Sequence, residues 1–80
     1  MYYTYIIKSI NNKYIYVGIT NNPDRRIKQH QDGREQTTSF YRPFKVLLIE
    51  DFQDRPQARI REKYFKSGCG KEWIKQNLLN

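Results

Sequence analysis

The sequence has one cysteine, Cys69, in 80 residues. A lone thiol excludes an internal disulfide and a cysteine-based zinc site, and it suits a reducing cytoplasm. No run of about 18 apolar residues occurs, so no membrane-spanning helix is expected and a membrane is not an expected partner. The N-terminus shows no charged segment followed by an apolar stretch, so no secretory signal is read there. A phosphate-cradling glycine loop is missing, as are a Cys-His nucleophile pair and two histidines at metal-ligand spacing. Acidic residues are scarce: eight Asp and Glu stand against fifteen Lys and Arg, a formal charge of +7.

The chain length fits one domain, residues 1–80, with a thin core. Twelve aromatics, seven of them Tyr, help to fill that core. A core needs apolar rings and not hydroxyls, so some of the tyrosines are expected to serve another purpose. A strong basic excess in a small domain points to an anionic polymer as partner. The excess is uneven. Residues 1–20 carry only Lys8 and Lys13, whereas 55–75 hold seven cations against Glu62 and Glu72.

Tyr2 to Ile10 and Tyr14 to Ile19 are rich in β-branched and aromatic residues and read as strands. Asn11-Asn12-Lys13 joins them as a hairpin. Asn22-Pro23 caps a helix that should run to about Asp32 and stop at Gly33. Residues 34–43 read as a polar, irregular loop. Val46-Leu47-Leu48-Ile49 reads as a buried strand. Asp54 and Pro56 open a second helix ending near Ser67, with Gly68-Cys69-Gly70 as its stop, and a short last helix spans about Lys71 to Leu79. The expected fold is α/β: a small three-stranded antiparallel sheet flanked by helices, in the order ββαβαα.

Strand alternation places Tyr3, Tyr5 and Ile7 on one face, and Tyr14, Tyr16 and Gly18 on one face of the next strand. Tyr5 and Tyr16 can then lie opposite or diagonal. Two phenols there can address one phosphate, or simply form a cross-strand pair. Gly18 is either a turn glycine or a place of close approach. In the first helix Ile27 is the only good core residue, and Arg26 and His30, at i and i+4, flank it. A helix so poorly held by apolar burial needs another reason to dock. Arginine suits a phosphate, and histidine exchanges a proton near neutrality. In the second helix Ala58, Ile60, Tyr64 and Phe65 read as an apolar arc, with Glu62 at its border and Arg61 unexplained within it. Glu62 is either a surface ion-pair partner or an inward metal ligand. One carboxylate can suffice for a hard cation that keeps its waters and takes phosphate oxygens.

With these residues in hand, the sequence resembles the GIY-YIG nuclease family, in particular its small stand-alone bacterial type. Tyr3-Thr4-Tyr5 stands where the family has Gly-Ile-Tyr, and Tyr16-Val17-Gly18 where it has Tyr-Ile-Gly. The stretch from Tyr16 through Arg26 to His30 follows the family's motif into its first helix, and Arg61-Glu62-Lys63 its later helix. The resemblance implies an endonuclease that hydrolyses phosphodiester bonds, with DNA preferred to RNA and Mg²⁺ or Mn²⁺ held by Glu62. It implies that Arg26 steadies the scissile phosphate, that Tyr5 or Tyr16 helps to activate water, and that His30 assists proton transfer or positioning. Two points depart from the pattern: Tyr3 replaces a glycine, and Asn77 does not align securely with the family's C-terminal Asn. Tyr41 and Arg42 are further candidate substrate contacts. The alternative is a non-catalytic nucleic-acid-binding module of the same fold. A homodimer or partner subunit would enlarge so small a footprint.

Overall fold

The computed structural model describes residues 1–79. Its elements are β1 (Tyr2–Ser9), β2 (Ile15–Thr20), α1 (Pro23–Gln31), α2 (Gln36–Ser39), β3 (Phe44–Phe52), α3 (Arg55–Lys66) and α4 (Gly68–Leu78). The class is the expected one, a three-stranded antiparallel sheet with helices. The strand order is β2-β1-β3, so β1 is central and both its neighbours are edges. The element order is ββααβαα, because part of the expected irregular loop forms α2.

Central placement explains why β1 is buried on both faces. Thr4, Tyr5, Ile6 and Ile7 are each fully inaccessible. Alternation sends Ile6 to one face, where it packs with Val17, Phe65 and Ile74 under α3 and α4. Tyr5 and Ile7 go to the other face, where Phe44, Ile27, Tyr14, Tyr16 and Tyr41 surround them. Thr4, on the α3 side, donates its hydroxyl to the carbonyl of Ala58 at 2.8 Å.

The apolar run of β3 is not a buried strand. Val46 and Ile49 are 45% and 42% exposed, because β3 lies at the sheet edge. Its register with β1 jumps from Ile6↔Leu48 to Ile7↔Val46, leaving Leu47 as a bulge.

The helix starts follow their caps. Asn22 Oδ1 accepts from the Arg25 amide at 3.1 Å, and Asp54 Oδ1 from the Gln57 amide at 3.1 Å. Gly33 adopts φ +76° just after α1, a left-handed residue suited to glycine. Gln31, at the last position of α1, clamps the start of β3. Its amide nitrogen donates to the Phe44 carbonyl at 2.7 Å and its oxygen accepts from the Phe44 amide at 2.8 Å.

The buried face of α3 is Ala58, Glu62 and Phe65, spaced i, i+4, i+7. Ile60 is 70% exposed, on the opposite side from the arc expected for it. Arg61 finds its account here. Its guanidinium lies 4.4 Å over the Phe65 ring and 5.0 Å over Tyr64. It also reaches Glu50 on β3, with Nε 2.8 Å from Oε1.

The Gly68-Cys69-Gly70 segment does not end a helix but begins one. Ser67 closes α3, and its hydroxyl accepts from the Gly70 amide at 3.2 Å as the N-cap of α4. A side chain on Gly70 would run into the backbone of Tyr64 and Phe65, so this glycine lets two helices approach closely.

Candidate active site

The sheet register decides where the phenols go. Tyr5 pairs with Gly18 and Ile7 with Tyr16, so Tyr5 and Tyr16 sit diagonally, ring centroids 6.1 Å apart. Gly18 is a point of close approach. A Cβ there would lie 2.6 Å from the Tyr5 hydroxyl oxygen, so only glycine lets that phenol extend over β2.

Helix α1 delivers His30 and Arg26 to the same place. His30 is fully buried, with its ring centroid 4.9 Å from that of Tyr16. Nε2 is 2.8 Å from the Tyr5 hydroxyl, and Nδ1 is 2.7 Å from Thr38 Oγ1 on α2. The Arg26 guanidinium lies alongside the Tyr5 hydroxyl. It also donates to Glu35 Oε2 at 3.0 Å and Gln29 Oε1 at 3.1 Å. With the phenol oxygen facing that cation, the Tyr5 O–H is assigned as donor to Nε2, and Nδ1–H as donor to Thr38. A four-membered polar chain, Arg26, Tyr5, His30 and Thr38, therefore runs through the inside of the α1 face.

Burial pushes the Tyr5 phenol well above its ordinary value; neighbouring Tyr16 adds to this and Arg26 opposes it. Tyr5 is thus a neutral phenol at neutral pH. Burial also lowers His30 below its ordinary 6.5, and the Arg26 charge lowers it further. His30 is a neutral imidazole with a lone pair, held against a phenol that can donate to it. Burial alone would lower Arg26, but its hydrogen bond to Glu35 and its contacts with Tyr5 outweigh this and raise it.

Glu62 comes from the other face. It is 6% exposed on α3, and its oxygens accept from Arg59 at 3.2 Å and Lys66 at 3.0 Å. No hydrogen bond joins it to Tyr5, Tyr16, Arg26 or His30. Lys66, the ammonium partner of Glu62, lines a pocket beside β2 with Ile15, Tyr16, Val17, Phe65, Lys71 and Ile74, but Glu62, Tyr5, Arg26 and His30 are not part of its lining.

No cluster of three or more His, Cys, Asp or Glu occurs among the described residues. A cation at this site would rest on Glu62, with water and phosphate oxygens completing its shell. That donor set fits a hard divalent ion. The present partners of Glu62 have side chains 52% and 55% exposed, so both can yield the carboxylate without disturbing the core.

Asn77 lies outside this arrangement; its amide donates to the Trp73 carbonyl at 2.9 Å within its own helix. Tyr41 stacks on Tyr14, and Arg42 donates to the Ser39 carbonyl at 2.9 Å. Sequence reading did not find Thr38 and Glu35, which fix His30 and Arg26. Nothing local marks them, since each meets its partner eight or nine residues away through a four-residue helix.

A family model described as the GIY-YIG catalytic domain matches residues 1–77. The UPF0213 protein YazA of Bacillus subtilis is 33% identical over 66 residues, covering 81% of this chain and 66% of that protein. A UPF0213 protein of Clostridium perfringens is 37% identical over 67 residues, covering 82% of this chain and 71% of its own length. The structure-specific endonuclease subunit slx1 of Aspergillus terreus is 41% identical over 64 residues, covering 71% of this chain but only 16% of that protein. The solution NMR structure of the UPF0213 protein BH0048 from Bacillus halodurans matches with a TM-score of 0.56 and 30% identity, covering 95% of this chain and 84% of that one. No helix among the described residues is long and apolar enough to cross a membrane. With the family model spanning nearly the whole chain and the same fold in a stand-alone bacterial relative, this chain belongs to the GIY-YIG family of catalytic domains.

Proposed function

We propose that this chain is a divalent-metal-dependent endonuclease that hydrolyses phosphodiester bonds in nucleic acid, with DNA as its preferred substrate. The observation that carries the reading is the buried Tyr5–His30–Thr38 chain beside Arg26, in a member of a nuclease family. Arg26 holds the scissile phosphate. Glu35 and Gln29 orient one side of the guanidinium, and its remaining N–H groups stabilise the charge that develops on the phosphate oxygens. Tyr5 and Tyr16 position the attacking water. As the water attacks phosphorus, its proton passes to the Tyr5 oxygen while the Tyr5 proton moves to His30 Nε2. Thr38 holds the imidazole in the tautomer that leaves Nε2 open. Glu62 holds Mg²⁺ or Mn²⁺, which when bound supplies charge to stabilise the leaving oxygen. The basic surface, +7 overall, draws in the polyanion. The exposed, unpaired Cys69 accords with a cytoplasmic setting.

The test is incubation of the purified protein with end-labelled DNA of several architectures, with Mg²⁺ or Mn²⁺, beside a Glu62→Ala control. Cleavage by the natural protein and its loss in the variant are expected. Equal cleavage by both would remove Glu62 from its assigned role. Salt-sensitive binding without cleavage of any substrate would establish the non-catalytic binding module instead.

A further inference from the structure

An aromatic row leaves the candidate active site along the α1 face. Tyr16 borders His30. Tyr14, two residues earlier, packs into the same cluster. The Tyr14 and Tyr41 rings stack with centroids 3.9 Å apart and planes within 5°. Phe40 ends the row, edge-on to Tyr41 at 5.2 Å.

Phe40 is 82% exposed, the most exposed large apolar side chain described. A singly exposed apolar side chain is ordinary. This one differs in that its ring is set at 89° to Tyr41, and it ends a row that begins beside His30. Exposed cations neighbour the row in sequence: Lys13 precedes Tyr14, Arg42 follows Tyr41, and the Arg42 guanidinium lies over Gly33, which precedes Arg34. An exposed ring face on a basic surface matches an unpaired nucleotide, whose base stacks while its phosphates meet cations. A base inside a duplex offers no free face to it.

We infer that the Phe40 ring is a stacking site for an unpaired nucleotide of the substrate, at the far end of the row from His30, so that the substrate carries a single-stranded segment beside a duplex. The inference rests on the nuclease reading and adds the substrate architecture to it. Stacking of this kind tolerates any base, because every base has a π face.

Fluorescence anisotropy tests it in a chelator, where no cleavage occurs. The natural protein, Phe40→Ala, Phe40→Leu and Phe40→Trp are titrated against a blunt DNA duplex and the same duplex with a single-stranded tail. Phe40→Ala should weaken tailed-duplex binding roughly five- to a hundredfold and leave blunt-duplex binding unchanged. Phe40→Leu keeps apolar bulk but no π face and should resemble Phe40→Ala; Phe40→Trp should bind as the natural protein does. Equal affinity of natural protein and Phe40→Ala for the tailed duplex overturns the inference and leaves the nuclease reading standing. An equal loss on both DNAs overturns it too, since Phe40 would then be a general contact. If the natural protein binds neither DNA, the nuclease reading fails and the inference falls with it.

Discussion

The two faces of the sheet are built on different principles. Under α3 and α4, Ile6, Val17, Phe65 and Ile74 form an apolar core, with Thr4 and Glu62 as buried polar residues on the same side. Under α1 and α2, the centre of the layer is a buried imidazole, a buried threonine and a buried phenol, joined at 2.7 and 2.8 Å. The first face holds the domain together by removing apolar area from water. The second gives up part of that gain to keep proton-exchanging groups in fixed relation, and Gln31 and Glu35 supply in hydrogen bonds what apolar burial does not. Glu62 apart, the apolar core and the Tyr5–His30–Thr38 chain of one thin sheet can thus be perturbed separately.

The largest effect should come from the apolar side. Phe65→Ala is expected to cost about 3–5 kcal/mol, enough in so small a domain to leave a large unfolded fraction, which thermal melting will read. Next, on the reactive side, Arg26→Ala should lower kcat for DNA cleavage about 10²–10³-fold. Its melting temperature should scarcely change, because its ion pair with Glu35 is partly solvated. A melting shift as large as that of Phe65→Ala would abolish the contrast.

Tyr5→Phe tests where the two roles meet. It strands Nε2 of a fully buried His30 and should cost about 1–3 kcal/mol in denaturant unfolding, together with a loss of cleavage. The titration of His30 supplies a subtler contrast. Its folded value lies below 6.5, so kcat/KM should fall with acidification through a midpoint under 6.5. Arg26→Gln should move that midpoint upward by removing one cause of the depression. Stability should follow the same sign. As pH drops below 6.5 the unfolded chain takes up the proton first, so His30 erodes stability until the folded value is passed. The smallest effect is expected from Ile60→Ala, within about 0.5 kcal/mol, because this isoleucine faces water.

Much of this could be read from the sequence because the signals are local. Asn22-Pro23 and Asp54 mark helix starts by their own chemistry, and strand alternation in a tight hairpin allows Tyr5 and Tyr16 to lie opposite or diagonal, of which the register selects the diagonal. The i, i+4 spacing of Arg26 and His30 was likewise enough to turn both inward. The misreadings have a common cause, which is that they depend on what lies next door. The apolar run of β3 looks buried from its composition, but its flank has no further strand. Ile60 looks like core until the seat of α3 on the sheet selects Ala58, Glu62 and Phe65. Two glycines near 68–70 read as a stop, yet Gly70 answers to the backbone of another helix. Thr38 and Glu35 become meaningful only once α2 has folded against α1. Spacing could not tell that Glu62 lies on the α3 side of the sheet, opposite the face that carries Tyr5 and His30, with Arg59 and Lys66 as its partners.

Ser67 belongs to two helices at once, closing α3 and opening α4 with no spacer between them. The junction is therefore an elbow whose angle is set by a single residue, and it has no slack. One residue inserted there would turn α4 by about 100° about its axis and swing Ile74 and Trp73 away from Phe65. The Asn11-Asn12-Lys13 turn, exposed at the other end of the chain, would absorb the same insertion as a slightly longer loop. Length variation in this fold should therefore gather at the hairpin and avoid the elbow.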